Sequence, residues 1–241
     1  MFRYKGKSSK EMHLRVLNDV GFTSPTRDVN AIQVPGRDGD LMMDNGRFNS
    51  VVRSIPCRIE APSNVNVESV INDVNNWLID DGRFHEFGWD SDPEFKYLAR
   101  VEDSVSSQRV LSRFGTTTID FRLHPIKYLR SSLEEQSVRN NDVIENPFNV
   151  EAKPLLRVSG MVSGGGDLVI EIGGRPLVLR GMAQSGCVID SETQTITDPS
   201  GRITLFEIMR SPFPVLKPGA NVIRVPAGVT VAMAPRLGRL V

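Results

Sequence analysis

One stretch of this chain has a clear helical period, and its isolation limits the rest to β-structure. In SNVNVESVINDVNNWLIDDG (63–82), Val67, Val70, Ile71, Val74 and Leu78 form one apolar stripe at about 3.6 residues per turn. Asn64 or Asn66 supplies a side-chain cap for its first amides, and Gly82 is free to end it in a left-handed conformation. Trp77 lies beside the stripe and is expected to close the helix onto a sheet as a packing residue. Most of the remaining chain reads as short apolar runs cut by turn residues, among its 20 glycines and 15 prolines. The expected class is therefore mainly β.

Before the helix, HLRVLNDVGF (13–22) and NAIQVPGRDGDLMM (30–43) read as extended segments separated by TSPT (23–26). Pro35-Gly36 and Asp38-Gly39 are strong turn signals. FNSVVRSIPCRIEA (48–61) reads as a strand, with Val51, Arg53, Ile55, Cys57 and Ile59 on one face. Pro56 in that strand points to an edge position or a bulge, because proline has no N–H for the ladder. After the helix, RFHEFGW, EFKYLARVEDSVS and GTTTIDFRLHP form a meander, with a DSDPE turn between the first two. The polar run SSLEEQSVRNNDVIENP (131–147) has little apolar periodicity and is the linker candidate. The expected division is 1–133 and 134–241, with the linker at about 131–150.

From Pro154 the pattern is short strands and tight turns. DLVIEIGGRPLVLRG (167–181) is a hairpin signal through Gly173-Gly174, which tolerate the positive φ of a two-residue turn. CVID, TQTIT and ITLFEIM follow as strands, and NVIRVP and GVTVAMAP close the series. This spacing predicts a β-sandwich. SPFPVLKPGANVIR (211–224) interrupts it. Pro212, Pro214 and Pro218 fix φ and remove amide donors, so the segment cannot join a central ladder. Phe213 and Leu216 are expected to anchor it, and Asn221 to hold the turn. The reading is a rigid crossover between two sheets.

Chemistry is sparse. Lys plus Arg and Asp plus Glu both total 29, a formal charge of zero, which argues against a protein that coats nucleic acid. Cys57 and Cys187 sit in separate apolar runs and read as buried free thiols. The start MFRYKGKSSKEM has no signal-peptide core, and no run approaches the roughly 20 apolar residues of a membrane helix, so a soluble protein assembled in the cytosol is expected. His13, His85 and His124 are scattered, and there is no HExxH or GxSxG. Gly164–Gly166 lack the Lys-Ser/Thr and helix of a phosphate loop, and a turn is expected. DSDPE (90–94) and GRDGD (36–40) do not fit a calcium loop. No cofactor or metal is expected, and no enzyme.

Five stretches in order across most of the chain carry a resemblance. They are VPGRDGDLMMDNGRF (34–48), VNNWLIDDGRFHEFGWDSDPEFKYLARV (74–101), GTTTIDFRLHPIKY (115–128), CVIDSETQTI (187–196) and the proline-rich corner. Together they resemble the distal tail protein (Dit) family of long, non-contractile-tailed bacteriophages. In the fourth stretch Cys187-Val188 precede the Ile-Asp, which departs from the family pattern, and the linker has no counterpart. The resemblance implies an N-terminal β-structured ring domain with one packing helix and a C-terminal galectin-like β-sandwich. It implies a homo-hexamer, with stacked rings as an option, at the tail tip of the virion. The implied partners are the major tail tube protein, the tail-associated hub or lysin protein and receptor-binding proteins. DNA would pass through the lumen without specific binding, and no membrane is involved.

Identical subunits closing a ring need head-to-tail surfaces. The turn-rich region 26–47, with Arg37, Asp38, Asp40 and Arg47, carries both charge signs and is the expected ring interface. The alternative is a carbohydrate-binding module aiding host-surface adhesion. Against it, no Trp or Tyr follows residue 154, leaving only Phe206 and Phe213 to stack on a sugar ring. A cell-wall hydrolase is a third reading, for which no carboxylate pair is nominated.

Overall fold

The longest alternation in the sequence becomes the spine of a sheet. The computed structural model describes all residues except 18–20, 22, 80, 103–105, 162–165 and 182–184. The chain divides into two units, Met1–Lys127 with Leu240–Val241, and Tyr128–Arg239.

In the first unit the elements are β1 (Phe2–Tyr4), β2 (Lys7–Ser8), β3 (Leu14–Val16), β4 (Arg27–Ile32), β5 (Leu41–Phe48) and β6 (Val51–Glu60). Helix α1 (Val67–Leu78) follows, then β7 (His85–Trp89), β8 (Phe95–Val101), β9 (Ser106–Leu111) and β10 (Phe114–Leu123), and β11 (Ile126–Leu129) leads out. The sheet runs β2-β1-β7-β8-β10-β6-β3. β10 pairs along its whole length with β6, while β8 and β9 share its other side at opposite ends. Residues 51, 53, 55, 57 and 59 are all buried, so the parity expected for this strand holds. Pro56 sits where β3 has ended: its carbonyl accepts the Leu17 amide, and its missing N–H leaves no ladder bond broken.

Helix α1 lies against β6 and β9 and buries Val67, Val70, Val74, Trp77 and Leu78. Asn66 is the cap, its side chain accepting from the Glu68 amide at 3.1 Å. The expected stop at Gly82 needs correcting. The chain turns extended at Ile79, and Gly82 takes its positive φ of 75° later, in the turn before β7. Trp77 donates its indole N–H to the Tyr4 carbonyl at 3.1 Å and stacks on Phe2. Phe2, Tyr4, Phe87 and Phe121 complete an aromatic core with centroid separations of 5.1 to 5.6 Å.

The second unit opens on a 3-10 turn (Arg130–Ser132), then β12 (Gln136–Val138), β13 (Val143–Asn146), β14 (Leu155–Gly160), β15 (Leu168–Ile172) and β16 (Arg175–Leu179). β17 (Cys187–Asp190), β18 (Thr195–Thr197), β19 (Gly219–Arg224) and β20 (Val229–Ala234) follow, and β21 (Gly238–Leu240) pairs with β11. A five-stranded sheet, β12-β20-β14-β17-β18, and a four-stranded one, β13-β19-β15-β16, enclose one aliphatic core that includes Leu156, Ile189, Met233, Ile170, Leu177 and Ile223. The fold is mainly β, a sandwich in this unit.

The polar run at 131–150, expected as a linker, is folded into that sandwich. β12 and β13 bury Val138 and Ile144 respectively, and so few inward residues per short strand leave no visible period. ITLFEIM, expected as a strand, is a 3-10 turn at Phe206–Ile208 preceded by a lone bridge at Thr204. Leu205, Ile208 and Met209, the residues that pack on the core, are spaced for one helical turn rather than for a strand. Gly164 and Gly165, with 18–20 and 22 of the first extended segment, lie outside the described residues.

The proline-rich corner carries the chain from the sheet of β18 to the sheet of β19. Leu216 is fully buried and bridges Ala152, and Phe213 packs on the core. The Asn221 side chain accepts from the Lys217 amide (3.0 Å) and donates to the carbonyls of Lys217 (2.8 Å) and Gly219 (2.9 Å). It replaces the backbone partners that the prolines remove.

Candidate functional site

β4 and β5 form a two-stranded sheet of their own. Ile32 faces Leu41, Ala31 faces Met42 and Asn30 faces Met43, with a bulge near Arg27. Because successive side chains alternate, Ile32, Leu41 and Met43 share one face, while Val29, Ala31 and Met42 share the other. Both faces are thus apolar, and both are open: Val29, Ile32, Leu41, Met42 and Met43 are 38% to 59% exposed. Among the described residues, no other strand or helix packs broadly against this hairpin. A lone two-stranded hairpin is marginal in water.

Its base is held by charge. Arg27 pairs with Asp44 at 2.9 Å and lies over the Phe48 ring, and Arg47 pairs with Asp28. The Gly46 amide, with help from Arg27, holds the Asp44 carboxyl below its usual range against the opposing effect of desolvation. Of the four residues singled out from the sequence, Arg47 is therefore engaged inside the hairpin. Arg37, Asp38 and Asp40 sit together in the exposed loop between the strands, and their side chains have no hydrogen-bond or ion-pair partner among the described residues. The four residues singled out from the sequence belong to this hairpin and its loop, and its apolar residues were not singled out with them. The missed signal was apolar residues on both parities of both strands.

Several chemistry-bearing residues elsewhere are structurally engaged, whereas His13 has no side-chain hydrogen-bond or ion-pair partner among the described residues. Burial pushes the Cys57 thiol up to about 12 and the Cys187 thiol up to about 11, so neither is a nucleophile at neutral pH. His85 hydrogen-bonds Asp81 and His124 the Ile126 carbonyl, in separate places. Asp92, in the DSDPE turn, is used by Lys127 and the Tyr97 hydroxyl. Among the described residues no three of His, Cys, Asp and Glu gather to hold a metal ion, and no helix is long and apolar enough to cross a membrane.

No protein-family model matches the sequence, and neither does any curated protein. Solved structures do match. The Dit protein (gp 19.1) of SPP1, described as a paradigm of hub adsorption apparatus in Gram-positive infecting phages, aligns over 96% of both chains with a TM-score of 0.71 at 15% identity. The chain therefore has the fold of that protein over nearly its whole length. A chain of the phage p2 baseplate in its activated conformation with Sr aligns over 92% of this chain and 90% of that one at 11% identity, with a TM-score of 0.46.

Proposed function

We propose that this chain is a structural distal tail protein of a long-tailed bacteriophage, closing into a hexameric ring between the tail tube and the tail-tip hub. The observation that carries the reading is the likeness to SPP1 Dit across both units, at 96% of either chain. The open hairpin β4–β5 supports it. A strand pair with apolar residues on both faces gains by insertion between neighbours, and a head-to-tail contact repeated around an axis closes a ring. In this reading Ile32, Leu41 and Met43 pack on one surface of the next protomer. Arg37, Asp38 and Asp40 at the tip find charges there, while Arg47 stays with Asp28.

The work of the protein is then binding: tube on one side of the ring, hub on the other, and DNA passing through the centre without specific contact. Assembly would take place in the host cytoplasm. A neutral chain suits such passage, since a strongly basic lumen would hold phosphates. Native mass spectrometry of the full chain tests the ring. A six-subunit species, or two stacked, is expected, and a strictly monomeric protein at high concentration would overturn the reading.

A further inference from the structure

The second unit holds a groove of about 400 Å³ between β16 and the proline-rich corner. Its floor is apolar: Ile172 and Leu177 are almost fully buried, Pro214 is buried, and Phe213 is half-buried. Two exposed arginines, Arg175 and Arg210, line it. Arg157, Arg180, Arg224 and Arg236 of the same unit are each tied to a carboxylate. By contrast, among the described residues neither the Arg175 nor the Arg210 guanidinium has a hydrogen-bond or ion-pair partner.

β16 is the edge strand of its sheet, but that edge is not open for strand addition. Residues 208–211 already cover part of it. The Arg210 backbone amide donates to the Val178 carbonyl at 2.9 Å, the Ile208 carbonyl accepts from the Arg180 backbone amide at 2.7 Å, and the Ser211 hydroxyl accepts the Val178 amide at 3.0 Å. The next outward position is Pro176, which has no N–H to offer. A ligand here is therefore recognised through its side chains, not through a backbone ladder. Two uncompensated guanidiniums call for carboxylates, and a proline and phenylalanine floor calls for apolar side chains between them. A saccharide is a poorer match: the only side-chain hydroxyl of the lining, Ser211, is engaged, and no Trp or Tyr lines the groove.

We propose that this groove docks an extended acidic peptide segment of a partner protein, whose carboxylates meet Arg175 and Arg210 while its apolar side chains rest on Pro212, Phe213 and Pro214. The inference is independent of ring closure, because every residue it uses belongs to the second unit.

The test is fluorescence anisotropy on the full chain with a labelled octapeptide alternating glutamate and leucine. The control replaces glutamate by glutamine, and polygalacturonate serves as an anionic polysaccharide. The acidic peptide should bind, more weakly as salt rises. Arg175→Gln with Arg210→Gln should weaken it by about tenfold or more, without a change in melting temperature, since both side chains are exposed and unpaired. Equal binding of both peptides, no binding, or an unaffected double variant would overturn the proposal. Binding of polygalacturonate but not of the acidic peptide would also overturn it, in favour of a saccharide site.

Discussion

The protein contains two hairpins of opposite fate. β15–β16 turns through Gly173 and Gly174, both at positive φ, and buries Leu168, Ile170, Ile172, Leu177 and Leu179 in the sandwich core. β4–β5 turns through a longer loop and buries none of its strand residues. Both offer valine, isoleucine and leucine on alternating backbone. In the first, one parity faces a second sheet; in the second, both parities face water. Strand-forming residues make a strand, and a partner surface decides whether its side chains stabilise the fold.

The largest contrast should come from truncating one apolar residue in each. Leu177→Ala leaves a hole in the sandwich and should cost about 2 to 5 kcal/mol of unfolding free energy. Met43→Ser should stay within about 0.5 kcal/mol in urea unfolding under monomeric conditions. Equal losses would show that the first-unit hairpin is covered within its own chain.

Self-association should reverse the ranking. Ile32→Ser with Met43→Ser removes two side chains worth about 1.5 to 3 kcal/mol each if buried at a contact, enough to weaken assembly by about a hundredfold or more. Sedimentation velocity across a dilution series measures this. Unchanged assembly would break the proposed role of the hairpin.

A smaller effect tests what supports the buried hairpin. Gly173 donates to the Val222 carbonyl at 3.0 Å, and the Asn221 amide beside it ties the corner. Asn221→Ala leaves the Lys217 amide without that acceptor and should cost about 1 to 3 kcal/mol, read by chemical denaturation.

The smallest separates the charges of the two regions. Burial raises the Asp190 carboxyl, but Arg236 and the amides of Thr193 and Glu192 outweigh it, so its folded pKa is depressed. A depressed carboxylate stabilises the fold above its unfolded value and loses that contribution as pH falls through the folded one, so the loss runs from about pH 4 downward. Asp190→Asn should flatten that acid limb in thermal melts. Asp44→Asn, at the solvent-exposed base of β4–β5, should flatten it less, because solvent screens that depressed carboxylate.

Much of the fold was legible. The stripe Val67–Leu78 sits on the sheet, the double glycine at 173–174 makes the turn, and the prolines at 212, 214 and 218 lie outside the ladders. All three are local signals, fixed by periodicity or by dihedral restriction. The order of strands was not legible, because β6 and β10 pair across the whole helix and no local pattern encodes a distant partner. The same limit hid the groove: Arg175 and Arg210 come together only because β16 is bridged at Leu179 to Met209. In β4–β5 the apolar residues fall on both parities, and such a pattern does not say whether a partner covers either face.

Both tryptophans, Trp77 and Trp89, belong to the first unit, where Phe2 contacts each ring, while the core of the sandwich is aliphatic. Tryptophan emission therefore reports on the first unit alone. A melt followed at the indole band and again by far-ultraviolet dichroism would show whether the two units unfold together, with no label attached.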